Sequence, residues 1–373
     1  MSEGRPKIIV VDDDAEVRRQ AGESLEIMGG GADVVLEGSF SEGLRRIETE
    51  SCDVAVLDLR NMGDKATQAD PDAGNRVAES IRKHRFVPIV FYTALPTNVL
   101  DMGDTPFVAV VPKTEGVLRL REEVETMLAT GVPQATRAVD EHVDAVRRDF
   151  LWEFSTASWG RLRHSLDANA LSYLLARRLA ASLSVSGMES VNAGLGPLLA
   201  AEEYGGAHPH FFYVLPPVEH GLQFGDVVKE KQTYYVVLSA TCDLVSSRKR
   251  KAKADRVLLG RCKRVSTQPE YKKAKGDSSK KGRGDLLGVM RNNANGRQKD
   301  RCFFLPPALD VPALLLDLQE LQSEKLSGVK KLERIASMDS PFAEMLTSQL
   351  SRYYGRVGAP DLNVGAIADG LLA

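Results

Sequence analysis

Five short apolar runs open the chain: 7–11 (KIIVV), 32–36 (ADVVL), 53–57 (DVAVL), 88–92 (PIVFY) and 107–111 (FVAVV). They are continuous rather than alternating, the pattern of strands covered on both faces, as in a parallel sheet. Between them, apolar residues recur every three or four positions, as in Val17, Ala21, Leu25 and Met28, which predicts helices over 16–28 and 41–50. The expected fold is α/β, a doubly wound five-stranded parallel sheet. Such a sheet binds its ligand beyond the carboxyl ends of its strands.

After residue 130 the pattern changes twice. GVPQAT (131–136) reads as a short linker, and 137–186 runs without proline. Two apolar stripes, Val139, Val143, Val146, Phe150 and Phe154, then Leu171, Leu174, Leu175, Leu179 and Leu183, predict two amphipathic helices. They bury that face either on a second copy, as a homodimer, or on the C-terminal domain. From about Phe211 the runs 211–218, 233–245, 255–265 and 300–311 read as strands rich in aromatic and β-branched residues. Helices are predicted over 312–321 and 340–354, the second with Ser340 as N-cap and Pro341 at its first position. The division is thus 1–131, a helical linker 132–200, and a C-terminal α+β domain 201–373 with a small antiparallel barrel or curled sheet.

Composition adds a boundary and an asymmetry. The 373 residues hold four cysteines, Cys52, Cys242, Cys262 and Cys302, none in a CxxC pair, and the start MSEGRPK lacks a signal-peptide core, so a cytoplasmic setting is expected. No stretch approaches the roughly 18 apolar residues of a membrane span, so no membrane partner is expected. The net charge of −2 conceals 15 Lys/Arg against 24 Asp/Glu in 1–131, and 19 against 5 in 247–301. The second segment is a basic island, suited to an anionic partner or to an acidic domain.

The strand ends of the first domain carry chemistry. Strand 1 runs into Asp12, Asp13 and Asp14, strand 3 into Asp58, strand 4 into Thr93 and Ala94, and strand 5 into Pro112 and Lys113. Carboxylates converging at one sheet edge repel unless a cation sits among them, and Mg²⁺, a hard ion, takes oxygen ligands of this kind. A metal-neutralised Asp can attack a phosphoryl group in line while a lysine and a hydroxyl hold the phosphoryl oxygens. Asp14 opens a helix and reads as its N-cap.

On these residues, 7–130 resemble the receiver domain of two-component response regulators. The resemblance implies Asp12 and Asp13 as the acidic pair, Asp58 as phosphoacceptor, Thr93 and Ala94 at the switch and phosphoryl-binding position, and Lys113 as the lysine. It also implies that Arg60 offers its backbone carbonyl to Mg²⁺. Thr114 stands where the family has proline, and Val110 where it has an aromatic switch residue, which puts the usual relay in doubt. The loop 61–74 after Asp58 is long; it either gates the site or is a tolerated surface insertion.

The C-terminal domain offers less. FGDVV followed by YYVVLSATCDL is faintly similar to the opening strands of PemK/MazF-type toxin barrels, with no catalytic residue to transfer. Cys242 with His208, His210 and His220 is a candidate Zn²⁺ or nucleophile set, against which Cys242, Cys262 and Cys302 read as small buried hydrophobes within strands. In the basic island, Arg248, Lys249, Arg250, Lys251, Arg261, Lys263 and Arg264 are candidates for phosphate contact in nucleic acid, with Tyr271 or Phe303 to stack on a base. The alternative is a solvated hairpin loop, with 276–284 flexible.

The expected function is a phosphorelay response regulator. It takes a phosphoryl group on Asp58 from a sensor histidine kinase or phosphotransfer protein and so controls a C-terminal output that is not a helix-turn-helix. The alternatives are a phosphorylation-controlled effector enzyme with a nuclease-like barrel, and a phosphate-sink or adaptor protein.

Overall fold

The continuous apolar runs at the start of the chain form a parallel sheet in the computed structural model. It describes residues 5–59, 73–94, 96, 106–154, 156–157, 160, 168–183, 208–218, 221–246, 251–276, 280–291, 300–356 and 362–373. The chain divides into two units, Met1–Ala200 and Ala201–Ala373.

In the first unit the elements follow as β1 (Lys7–Val11), α1 (Ala15–Glu26), β2 (Asp33–Glu37), α2 (Phe40–Thr49), β3 (Val54–Leu57), α3 (Ala73–His84), β4 (Ile89–Thr93), β5 (Val108–Pro112) and α4 (Gly116–Ala129). The sheet order is β2-β1-β3-β4-β5, every pair parallel. Alternation along each strand splits the core in two. Ile8, Val10, Val54, Val56 and Val90 meet Leu25 of α1 and Leu120, Val124 and Met127 of α4. On the other face Ile9, Val11, Ala55, Leu57, Ile89 and Phe91 meet Ile47 of α2 and Ala78 and Ile81 of α3. Each Val, Leu, Ile, Phe or Met side chain so buried contributes about 1.5–3 kcal/mol relative to leaving it exposed. Gly43 lets α2 lie against β1, because a Cβ there would stand 2.4 Å from Val11 Cγ2.

The segment expected as a linker is helical instead. Residues 132–136 open α5 (Val132–Asp149), with Gly131 in the left-handed region before it and Pro133 in the first turn. This helix is anchored to the amino edge of the sheet. Arg137 Nη1 lies 2.6 Å from Asp53 Oδ2, which also accepts from the Lys7 backbone N–H at 2.7 Å, and Arg85 pairs with Asp140 at 3.5 Å. Proline at the start of a helix removes no needed donor, which is why GVPQAT continues as helix. The second expected helix is α6 (Ala168–Ser182), packed along α5.

In the second unit seven strands, β6 (Tyr213–Val214), β7 (Asp226–Glu230), β8 (Thr233–Val237), β9 (Arg256–Arg264), β10 (Cys302–Leu305), β11 (Leu314–Lys325) and β12 (Glu333–Met338), form one antiparallel sheet in the order β10-β11-β9-β8-β7-β12-β6. The sheet curls into a half-barrel: Phe212, before edge strand β6, and Phe303 of the opposite edge share one core, their rings 6.0 Å apart. Tyr213 Oη donates to the Pro306 carbonyl at 2.9 Å. Helices α7 (Pro269–Gly276) and α8 (Lys280–Met290) lie between β9 and β10. Helix α9 (Phe342–Tyr354) fills the half-barrel with Leu346 and Tyr353, and α10 (Val364–Leu372) ends the chain.

Several expectations are corrected here. Residues 314–325 are strand, not the helix expected over 312–321, because LLLDLQELQ pairs with β9 and β10 and its first five residues are buried on both faces. Of 211–218 only Tyr213–Val214 is strand, and β10 is confined to Cys302–Leu305. The helix expected to begin at Ser340 begins at Phe342, with Pro341 at the cap position and no side chain capping it. The stretch expected to be flexible is helical from Lys280 onward; 277–279 lie outside the described residues.

Candidate functional site

Register places the acids. β1 and β3 pair Val11 with Leu57, so the next residue on each, Asp12 and Asp58, leave the carboxyl edge side by side. The Asp58 backbone N–H donates to the Val11 carbonyl at 2.9 Å and fixes this level. Thr93 ends β4 opposite Pro112 of β5, which sets Lys113 immediately beyond. Thus three neighbouring strand ends and one further strand deliver the expected residues to one edge.

The geometry is tight and largely dry. Lys113 Nζ stands 2.7 Å from Asp12 Oδ2 and 2.6 Å from Asp58 Oδ2. Asp12 is 3% exposed, Asp58 1% and Thr93 0%, whereas Asp13 and Ala94 are exposed. Burial pushes the Asp12 carboxyl up, with the Asp58 charge adding to it and Lys113 only partly offsetting it. Burial works to lower the Lys113 ammonium, but its hydrogen bonds and charge contacts to Asp12 and Asp58 outweigh that and hold it above its ordinary value. Asp14 caps α1, accepting from the Glu16 and Val17 backbone N–H groups at 2.9 and 3.1 Å, and its own N–H donates to Asp12 Oδ1 at 3.0 Å.

The donor set fits a hard divalent cation. Asp12, Asp13 and Asp58 each offer a carboxylate oxygen, all within 4.8 Å of one another. Three ionised carboxylates against one ammonium leave two negative charges uncompensated, the charge of one such ion. Arg60, expected to offer its carbonyl, and residues 61–72 of the loop expected as gate or insertion, lie outside the described residues. The expected departures are in place: Val110 is a half-exposed residue of β5, and Lys113-Thr114-Glu115 makes a short 3₁₀ turn from which Gly116, at φ +80°, enters α4. Only glycine adopts that conformation without strain.

In the second unit the expected sites disperse. Cys242 is exposed on the helical turn Thr241–Leu244, not within a strand, because β8 stops at Val237 and the Thr241 hydroxyl accepts from the Phe224 N–H at 3.0 Å. Cys262 and Cys302 are buried in strands, and burial pushes the Cys262 thiol well up. His208 and His210 stack with their Nδ1 atoms 2.8 Å apart, and neither belongs to a three-ligand group among the described residues; His220 lies outside them. Phe303 is fully buried and so is no stacking platform, and Tyr271 is half-buried beside Leu286 and Val289. Among the basic candidates Arg248, Lys249 and Arg250 lie outside the described residues. Lys251, Arg261 and Lys263 are exposed, Lys263 pairing with Glu320, and Arg264 lies over the Tyr234 ring at 5.2 Å. The anchoring pair Asp53–Arg137 was missed from sequence; its one signal is an acid set directly before an otherwise apolar strand.

No protein-family model matches the chain, and no curated protein matches it in sequence. Among solved structures it is similar to the response regulator DrrB of Thermotoga maritima, an OmpR/PhoB homolog, at 20% identity and a TM-score of 0.26, over 34% of this chain and 54% of that one. The chain thus spans about half the length of that relative. It is also similar to a CheY-like receiver domain protein of Methanospirillum hungatei, at 20% identity and a TM-score of 0.26, over 34% of this chain and 99% of that one. A third is the CheY-like receiver domain of Methylobacillus flagellatus, at 18% identity and a TM-score of 0.27, over 33% and 99%. The N-terminal part of this chain resembles response-regulator receiver domains.

Proposed function

We propose that the chain is a phosphorelay response regulator whose Asp58 accepts a phosphoryl group and whose second unit is the output. The observation that carries this reading is the position of Lys113 Nζ, within 2.7 Å of two buried carboxylates from neighbouring strand ends. A half-buried lysine bridging a buried carboxylate pair suits phosphoryl transfer to one of them: a nucleophile, an acidic partner and a cation to receive the new phosphoryl oxygens.

An Asp58 carboxylate oxygen attacks phosphorus in line, forming the acyl phosphate as the bond from phosphorus to the donor breaks and its electron pair leaves with the donor. The donor is a phosphohistidine of a sensor kinase or phosphotransfer protein, or a small acyl phosphate. Lys113 exchanges its contact with Asp58 for one to a phosphoryl oxygen, and the Thr93 hydroxyl, at the end of the next strand, donates to another. Asp12, Asp13 and Asp58 would hold Mg²⁺, which supplies charge neutralisation of the phosphoryl group and the acidic set. The acid–lysine set is at the carboxyl edge of the sheet and the α5 anchor at the amino edge.

Intact mass after treatment with acetyl phosphate and Mg²⁺ tests the assignment. The wild type gains one phosphoryl mass and Asp58→Asn gains none; an equal gain in Asp58→Asn contradicts it.

A further inference from the structure

Part of the basic segment 247–301 is built as a packed helix pair, α7 and α8, rather than as a loop. Tyr271 of α7 and Leu286 and Val289 of α8 pack with Val265, Cys302 and Leu315 into a small core of their own, and Lys273 of α7 pairs with Asp285 of α8 at 2.9 Å. With the inner face so used, Lys272 and Lys275 of α7, Arg283 of α8 and Arg291 just beyond it are exposed, and none forms an ion pair among the described residues. Beside the pair, on the same sheet face as Leu315, stand Lys263, directly opposite Leu315, and Arg261 two residues before it.

What this surface lacks identifies its partner. No large hydrophobic residue of 251–291 is exposed among the described residues. Protein interfaces are anchored on buried aromatic or aliphatic side chains, and surface-bound membrane segments insert apolar residues, whereas nucleic-acid interfaces are polar and positive. Single-strand binders add exposed aromatics on which bases stack, and here Phe303 is fully buried and Tyr271 is half-buried against Leu286 and Val289. A surface of cations without stacking platforms fits the duplex, whose phosphates are the densest line of charge.

We propose that the α7–α8 pair, through Lys272, Lys275, Arg283 and Arg291, binds the phosphate backbone of double-stranded nucleic acid with little regard to sequence. The proposal goes beyond the phosphoacceptor reading and does not depend on it. Four such contacts give a log–log salt slope of about −3.6, which is a loss of affinity on the order of a hundredfold between about 50 and 200 mM salt.

The test is fluorescence anisotropy of the full chain, with and without beryllofluoride, on labelled mixed-sequence duplex DNA, duplex RNA, the matched single strands, and vesicles of mixed neutral and anionic phospholipid. The expected result is binding to a duplex in at least one state, weaker binding to single strands, and a salt slope flattened by about three or more in the variant with all four positions changed to Ala. Charge-conserving Lys272→Arg/Lys275→Arg retains the slope, which separates lost charge from lost folding. Absence of duplex binding in both states, preference for single strands, or binding to vesicles alone would overturn the proposal. Asp58→Asn, run alongside, keeps the two readings apart: a failed phosphoryl transfer leaves the duplex result standing, and the converse.

Discussion

At the carboxyl edge of the first sheet, strand ends bring Asp12 and Asp58 within hydrogen-bond distance of Lys113, whereas on the α7–α8 pair Lys272, Lys275, Arg283 and Arg291 diverge into solvent. The first arrangement buries opposite charges together, so each group is held by the others and the set has an address. The second spreads like charges over a packed support, so no one of them is indispensable and the sum acts at longer range. Buried convergence specifies a reaction; exposed divergence supplies attraction.

Breaking the first arrangement has the larger effect on the fold. Lys113→Met leaves two buried carboxylates facing each other, and the first unit is expected to lose about 3 kcal/mol in chelator, part of it regained on adding Mg²⁺; urea melts with and without the ion measure this. Loss of a similar size in both conditions would mean that the lysine serves packing alone. By contrast Lys272→Ala on the exposed pair is expected to change stability by under about 0.5 kcal/mol.

The Asp53–Arg137 anchor is the intermediate case. Arg137→Ala strands a buried carboxylate and is expected to cost about 2 kcal/mol, while adding Asp53→Asn in the same chain recovers part of it. Thermal melts of the single and double variants complete the cycle, and additive losses would show that the two residues do not act as a pair.

The smallest effect belongs to the second unit. Asp226, buried at the start of β7, accepts from the Gln223 N–H at 2.9 Å and from Ser337 Oγ at 2.5 Å, yet burial pushes its carboxyl up. A carboxyl whose folded value lies above its unfolded value of about 3.9 binds its proton more tightly when folded. The stability this group contributes is therefore fully present below the unfolded value and is lost as pH rises through the folded one. Denaturant midpoints across that range are expected to show the fall in wild type and a flatter profile in Asp226→Asn.

The parallel sheet and its site were legible because their rules are local. A strand buried on both faces reads as an unbroken Val/Ile run, and the residues after such runs lie at the ligand edge whatever the helices do, which is how Asp12, Asp58, Thr93 and Lys113 were found together. The half-barrel was legible only in class. In LLLDLQELQ the apolar positions suit a helix, and Leu, Gln and Glu favour one, but pairing with β9, some fifty residues earlier, overrides that preference. Cys242 reads as strand because the apolar run of β8 resumes around it in TYYVVLSATCDLV, although Ser239-Ala240-Thr241 carries the turn that ends β8. The α7–α8 pair was hidden by its lysines and glycines, whose inner stripe of Tyr271, Leu286 and Val289 has meaning only beside Leu315.

The most direct test of the central claim is to phosphorylate the full chain with phosphoramidate, with Mg²⁺ or with chelator, and to map the acyl phosphate by borohydride reduction and peptide mass spectrometry. The account predicts a single modified residue, Asp58, seen with Mg²⁺ and lost with chelator. A modified residue elsewhere, or labelling of Asp58 that the chelator leaves unchanged, would contradict it.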